Sequence, residues 1–142
     1  MKVLSVLMHL AASALALSRT SAPSGALVVG SGQKYTTSKY FPLVGQIRLL
    51  AHSMDVVSKA VAALSASSTS EQSIFIEPGT YSEQVYIPKL KGPLTIYGYT
   101  KDTTSYASNQ VIITAGKALA NSANDDATAT LRVWTTNFKM CK

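Results

Sequence analysis

The stretch that decides the fold is Ile74-Phe-Ile-Glu-Pro-Gly-Thr-Tyr-Ser-Glu-Gln-Val-Tyr-Ile-Pro88. It contains two short runs rich in β-branched and aromatic residues, and each run ends at a proline. Pro78-Gly79 predicts a tight turn in which Gly79 takes a positive φ without steric cost. We therefore expect a buried strand, a turn, and a second strand that begins near Glu83.

Short β-rich runs of the same kind continue along the chain, separated by turn residues. The predicted strands are 74–76, 85–87, 94–97, 111–114 and 128–133. Their separations are uneven, and no Asn-Gly or Asp-Gly dipeptide joins neighbouring strands as it would in tight hairpins. The pattern favours a stacked solenoid, in which each coil buries its inward side chains against the next coil.

One helix is predicted ahead of these strands. Val57, Val61 and Leu64 recur at helical spacing, with alanines between them. The end of a solenoid must be capped because its apolar interior is otherwise exposed. The segment Val57–Leu64 is placed to be that cap, so the predicted class is all-β with an N-terminal capping helix.

The beginning of the chain predicts export. Lys2 precedes an apolar run that ends near Ala14-Leu15-Ala16, as in a secretory signal peptide. This run is shorter than the roughly 20 residues of a membrane-spanning helix. We therefore expect a signal peptide over residues 1–16 and a secreted, extracellular protein with no membrane partner. Residues 17–37 then form an N-terminal segment.

Charge and motifs exclude several other functions. The net charge of +6 comes from scattered basic residues without aromatic interleaving, so no nucleic-acid partner is expected. No metal cluster or phosphate loop appears, and we expect no cofactor. Both histidines lie early, His9 in the signal and His52 in an atypical segment, which argues against Ser-His or Cys-His catalysis. Asp125 and Asp126 predict a solvated turn, because neighbours on an extended chain point to opposite faces.

The run Gly79-Thr-Tyr-Ser-Glu83 resembles the Gly-x-Tyr-x-Glu signature of pectin methylesterases. The segments 92–98, 102–113 and 126–132 also look like the fungal branch of that family. The resemblance implies a right-handed, single-stranded parallel β-helix, of which residues 57–142 would form the first coils. It also implies an aspartate nucleophile, a second aspartate as acid and base, an oxyanion hole of glutamines and an orienting arginine. The motifs that carry these groups are absent, so no catalytic residue is assigned and they are expected beyond the end of this chain.

Two kinds of family position do map onto this sequence. In the signature formed by Gly79, Tyr81 and Glu83, the carboxylate is expected to tie adjacent coils together rather than to catalyse. Thr130 aligns with a threonine that lines the substrate groove, although a threonine chosen for its β propensity explains the residue equally well. The resemblance implies methyl-esterified polygalacturonate as partner and a monomer for the full-length protein.

Residues 38–56 depart from the family pattern. Codons for Ser38 to Tyr40 can contain a splice donor, and codons for Val56-Val57 can contain an acceptor, so we interpret the segment as a possible retained intron. Cys141-Lys142 can be encoded by a second donor sequence. The alternative is a genuine insertion in a genuinely short protein.

Three functional hypotheses remain. The first is a secreted pectin methylesterase whose chain, as given, lacks the catalytic motifs and is inactive. The second is a non-catalytic pectin-binding β-helix module, which would suit a basic surface that meets polygalacturonate. The third is a β-helix lyase, which is disfavoured because Asp102, Asp125 and Asp126 form no carboxylate cluster for calcium.

Overall fold

The computed structural model describes residues 18–30 and 54–141 of the chain. These residues form one α-helix, α1 (Val57–Ala62), and eight short strands. The strands are β1 (Leu27–Val29), β2 (Gln72–Ile76), β3 (Gly79–Ser82), β4 (Val85–Ile87), β5 (Leu94–Gly98), β6 (Val111–Thr114), β7 (Leu131–Val133) and β8 (Phe138–Cys141).

All the strand pairs are parallel, and they form three sheets. One sheet has the order β1-β2-β5-β8, the second pairs β3 with β6, and the third pairs β4 with β7. Each circuit of the chain thus adds one strand to each sheet before it returns to the first. The fold is a parallel β-helix, as the resemblance implied, and the two long loops at 99–110 and 115–130 explain the uneven strand spacing.

Inward side chains stack from one coil to the next because the ladders are in register. In the first sheet Leu27, Ile74 and Ile96 occupy matching positions, and Ile96 is followed by Met140. Tyr81 lies over Ile113 in the second sheet. In the third sheet, Val85 lies over Leu131 and Ile87 over Val133. The inward side chains of the first complete coil are buried, whereas Val133 and Met140 of the last coil are 36% and 52% exposed.

The helix α1 covers the beginning of the coil, as predicted. It packs against β1, β2 and β4, and its buried side chains are Val57, Ala60 and Val61. These are the positions that helical spacing places on one face. The helix therefore closes the apolar interior at one end, where an open solenoid would expose it.

The structure corrects several details of the sequence prediction. Gly79 does not adopt a positive φ; among the described residues, only Gly25 does so, at 80°. Gly79 instead begins β3, and Pro78 marks the bend between β2 and β3. The last predicted strand starts later, at Leu131, after a 3-10 turn at Asp126–Thr128. The strands β1, β3 and β8 were not predicted.

The atypical segment 38–56 falls mostly outside the described residues, as does the predicted signal peptide. Its last residues are described, and they pack into the fold. Met54 is 8% exposed and belongs to the hydrophobic core. Its carbonyl accepts a hydrogen bond from the Gly30 amide at 3.0 Å. Among residues 18–30 and 54–141, no helix has the length and apolar character that a membrane crossing needs.

Gly92 is a point of close backbone approach between β4 and β5. A Cβ atom there would lie 2.5 Å from the Ser70 carbonyl oxygen and 2.8 Å from that of Ser68. Both neighbours are backbone atoms, which cannot swing aside as a flexible side chain can. We expect Gly92→Ala to lower the free energy of unfolding by about 1–3 kcal/mol, as overpacking does, measured by urea denaturation.

Gly116 provides the matched control. A Cβ atom at Gly116 meets no atom within 4 Å, and its backbone does not need a positive φ. Gly116→Ala should leave the free energy of unfolding unchanged or raise it by up to about 1 kcal/mol, because alanine restricts the unfolded chain. Equal stability of the two variants would contradict the tight packing at Gly92.

Candidate functional site

The signature residues Gly79, Tyr81 and Glu83 lie on β3 and the bend that follows it. The Tyr81 side chain points inward and is 5% exposed, and its hydroxyl donates to the Glu77 carbonyl at 2.9 Å. A Cβ atom at Gly79 would lie 3.5 Å from the Tyr81 ring, in ordinary contact. Tyr81 therefore serves the packing of the coil, whereas the space around Gly79 does not require a glycine.

Glu83 reaches the N-terminus of α1. One carboxylate oxygen accepts from the Val57 amide at 2.7 Å, and the other accepts from the Ser58 amide at 2.9 Å. The Ser58 hydroxyl donates to the second oxygen as well. The Glu83 backbone amide donates in turn to the Thr114 carbonyl at 2.9 Å, on the next coil. This residue thus joins the capping helix to two successive coils. Its negative charge also stabilises the helix, because the N-terminal end of the helix dipole is positive.

All seven acidic residues of the chain lie in the described part, so their distribution can be followed completely. Asp55 pairs with Lys59 at 2.5 Å on the surface of α1. The hydrogen bond from the Lys59 ammonium holds the pKa of the Asp55 carboxyl below its ordinary value. Both side chains are more than half exposed, so this pair contributes little to stability.

Three of the remaining acidic side chains bond to a hydroxyl, an amide or a cation, and none of the side-chain bonds found in the described residues involves the Glu77 or Asp125 carboxylate. Glu71 accepts from the Thr95 hydroxyl at 3.0 Å, and Asp102 accepts from the Thr104 amide at 2.8 Å. Asp125 and Asp126 are exposed at a 3-10 turn, as predicted, and Asp126 pairs with Arg132 at 3.4 Å. None of the hydrogen bonds found in residues 18–30 and 54–141 brings two carboxylates together.

A hollow of about 340 Å³ lies inside the last coil. Its walls are mainly apolar and come from Ile76, Ile96, Val111, Ile113, Leu131 and Met140. Thr130 also lines it, half-buried immediately before β7, and its carbonyl accepts from the Val85 amide at 2.8 Å. The lining includes no acidic residue, so the hollow brings Thr130 next to no carboxylate that could attack an ester.

The described residues form neither a metal site nor a centre for nucleophilic catalysis by carboxylates. They contain no group of three His, Cys, Asp or Glu side chains that could hold a metal ion. A carboxylate esterase mechanism needs a nucleophile and a separate acid and base within hydrogen-bond reach of one substrate. In the part of the chain that the structure describes, no hydrogen bond or ion pair joins two carboxylates.

One cluster on the outer surface was not predicted from the sequence. Tyr86, Arg132 and Trp134 lie together on the third sheet. The signal was present, because Tyr86 stands between the inward-facing Val85 and Ile87 and must therefore point outward. The pairing with Arg132 depends on the long-range β4–β7 register, which the sequence does not reveal.

Comparison with known proteins gives consistent results. No protein-family model matches the chain. A pectinesterase from Aspergillus niger is 53% identical over 123 residues, which are 86% of this chain and 31% of the relative. A pectinesterase from Aspergillus aculeatus is 47% identical over 124 residues, 86% of this chain and 32% of the relative. The chain thus spans about a third of the length of the curated relatives it matches.

A solved structure agrees with these sequences. The crystal structure of the pectin methylesterase from Aspergillus niger in deglycosylated form matches with a TM-score of 0.69 and 36% identity, over 88% of this chain and 35% of that one. Over the part that aligns, which is about a third of their length, the chain is similar to pectinesterases in both sequence and fold.

Proposed function

We propose that this chain supplies β-helix coils to a secreted enzyme that hydrolyses the methyl esters of pectin, and that these coils contain no hydrolytic centre of their own. The observation that carries the proposal is the combination of two findings. The coils match pectinesterases over most of the chain, while the seven carboxylates are dispersed and no hydrogen bond found in the described residues joins two of them.

The inactivity follows from what ester hydrolysis by carboxylates requires. One carboxylate must be ionised to attack the carbonyl carbon, and another group must give and take a proton at the same centre. Preorganised donors must also stabilise the oxyanion. Glu83 is committed to the N-terminus of α1, and Asp126 is exposed and paired with Arg132. Neither has a second carboxylate as a partner.

The substrate and the compartment are part of the same proposal. The relatives carry the names pectinesterase and pectin methylesterase, which supports methyl-esterified pectin as the polymer that this chain meets. The apolar run that follows Lys2 supports export. The alternative is a non-catalytic pectin-binding module. It would also be inactive, but it would not be part of a longer chain that contains the catalytic residues.

The test is methanol release from highly methyl-esterified pectin. The chain, expressed with residues 1–17 in a filamentous fungus and recovered from the culture medium, should release no methanol above the buffer blank. The Aspergillus niger pectinesterase at the same concentration is the positive control. Retention of the chain inside the cells would contradict export. Methanol release that purifies with the chain and is lost in Asp126→Asn would place the chemistry in these coils.

A further inference from the structure

The outer face of the third sheet carries an aromatic and cationic cluster that the packing of the coil does not require. Tyr86 and Arg132 are direct neighbours in the β4–β7 ladder, and both point away from the interior. The Trp134 amide donates to the Ile87 carbonyl at 3.0 Å, which continues the ladder beyond β7. Tyr86 is 43% exposed and Trp134 is 62% exposed. We call these three residues the Tyr86–Trp134 patch.

Tyr86 contacts both of the other side chains of the patch. The rings of Tyr86 and Trp134 lie 6.3 Å apart, centroid to centroid, at an interplanar angle of 67°. The guanidinium carbon of Arg132 lies 5.1 Å from the centroid of the Tyr86 ring, in a cation–π contact. Arg132 and Trp134 are two residues apart along the chain, so they lie on the same outer face and one ligand can meet both the cation and the exposed indole.

Arg132 has hydrogen-bonding capacity to spare. Its ion pair with Asp126 is a single contact of 3.4 Å, and its buried Nε has no hydrogen-bond partner. A guanidinium can donate five hydrogen bonds and prefers to bind a carboxylate with two of them at once. Turning toward an incoming carboxylate would therefore satisfy the Nε of Arg132 as well as one terminal nitrogen.

Together the features fit a sugar acid. An exposed indole offers a flat apolar face for the C–H face of a pyranose ring, with a polar edge left in water. A guanidinium beside it selects a free carboxylate, because a methyl ester carries no charge and cannot form the bidentate ionic pair. An extended polymer of uronic acid presents both features in every unit. The net charge of +6 further favours a polyanion.

We propose that the Tyr86–Trp134 patch is a non-catalytic binding site for de-esterified galacturonate units of pectin, with Trp134 against the sugar ring and Arg132 on its carboxylate. The choice of pectin rests on the proposed function. The patch would hold the chain on stretches of the polymer whose esters have already been removed.

The chain contains a single tryptophan, so its intrinsic fluorescence reports on this site directly. Titration of the full chain with a galacturonic acid trimer should change the Trp134 emission saturably. The fully methyl-esterified trimer should bind about tenfold more weakly, because it lacks the carboxylate. Arg132→Gln should weaken the trimer about tenfold, whereas Asp126→Asn should tighten it a few-fold by removing the competing carboxylate.

Matched controls separate the patch from general charge and aromatic effects. Lys101→Gln removes one exposed positive charge elsewhere, and Tyr106→Ala removes a ring that is 81% exposed. Neither should change the affinity by more than about twofold. Trp134→Ala, followed by calorimetry, should weaken the trimer about tenfold.

Two outcomes would overturn the inference in distinguishable ways. Trimer binding that is unchanged in both Trp134→Ala and Arg132→Gln would place the binding site elsewhere, while pectin as the polymer would stand. If neither the free nor the esterified trimer binds the folded chain, this site is excluded, while the proposed function is judged separately by methanol release from a chimera with an active relative.

Discussion

Replacing Glu83 with alanine should lower the free energy of unfolding of the chain by about 2–3 kcal/mol, measured by urea denaturation. The Glu83 carboxylate accepts from the amides of Val57 and Ser58 at the start of α1, and from the Ser58 hydroxyl. Val56 precedes the helix and supplies no capping side chain, so this distant carboxylate takes the place of a local cap. Its loss leaves two helix amides without an acceptor and loosens the cap over the apolar interior.

Glu83→Gln should show that both carboxylate oxygens matter. Glutamine keeps the length of the side chain and can offer one carbonyl oxygen to one amide. Its NH₂ group then faces the second set of donors, Ser58 N–H and Ser58 O–H, so one side of the interaction is lost. We expect a loss of about 1–2 kcal/mol, which is smaller than that of the alanine variant.

Asp55 is the matched control for Glu83, because it lies at the same helix end and its main partner is the exposed side chain of Lys59. Its pKa is lowered by Lys59, so its contribution is present at neutral pH and disappears as the pH falls through that lowered pKa. Since the pair is exposed, Asp55→Asn should change stability far less than Glu83→Gln does. A larger effect from Asp55→Asn would contradict the capping role of Glu83.

The sequence predicted the elements whose signals are local. The apolar spacing of Val57, Val61 and Leu64 identified α1 to within two residues. The β-branched runs at 74–76, 85–87, 94–97 and 111–114 all lie in strands. Uneven spacing without hairpin turns led to a solenoid, and the signature around Tyr81 led to the correct family of folds. These inferences needed no knowledge of which strands pair.

The strands that were missed depend on pairing between coils. β3 has the sequence Gly-Thr-Tyr-Ser and buries only Tyr81, so no period is visible before β6 is placed beside it. β8 follows β7 after a short turn, and its Phe138 and Met140 become inward positions only through the register with β5. Gly79 was predicted as a turn with positive φ because Pro-Gly favours one. The ladder to Val111 instead holds Gly79 in an extended strand.

For the candidate site too, local sequence signals identified single residues, whereas their partners became visible only in the fold. The family signature pointed to Glu83, but only the fold reveals that this carboxylate reaches α1, which precedes it by 25 residues in the Ser58 contact. Thr130 stays a prediction as a substrate-binding residue; it lies half-buried beside the hollow of the last coil. Tyr86 and Trp134 are far apart in sequence and meet because β4 pairs with β7.

The most direct test of the account is a transplant into an active relative. This chain would replace the aligned third of the Aspergillus niger pectinesterase to which it is 53% identical, and methanol release from methyl-esterified pectin would be measured for the chimera. Because the remaining two thirds of the relative keep their own residues, the chimera should retain hydrolysis within about tenfold of the parent, the loss coming from small displacements at the new coil boundary. A folded, secreted chimera whose methanol release equals the buffer blank would contradict the claim that these coils belong to a pectin methylesterase.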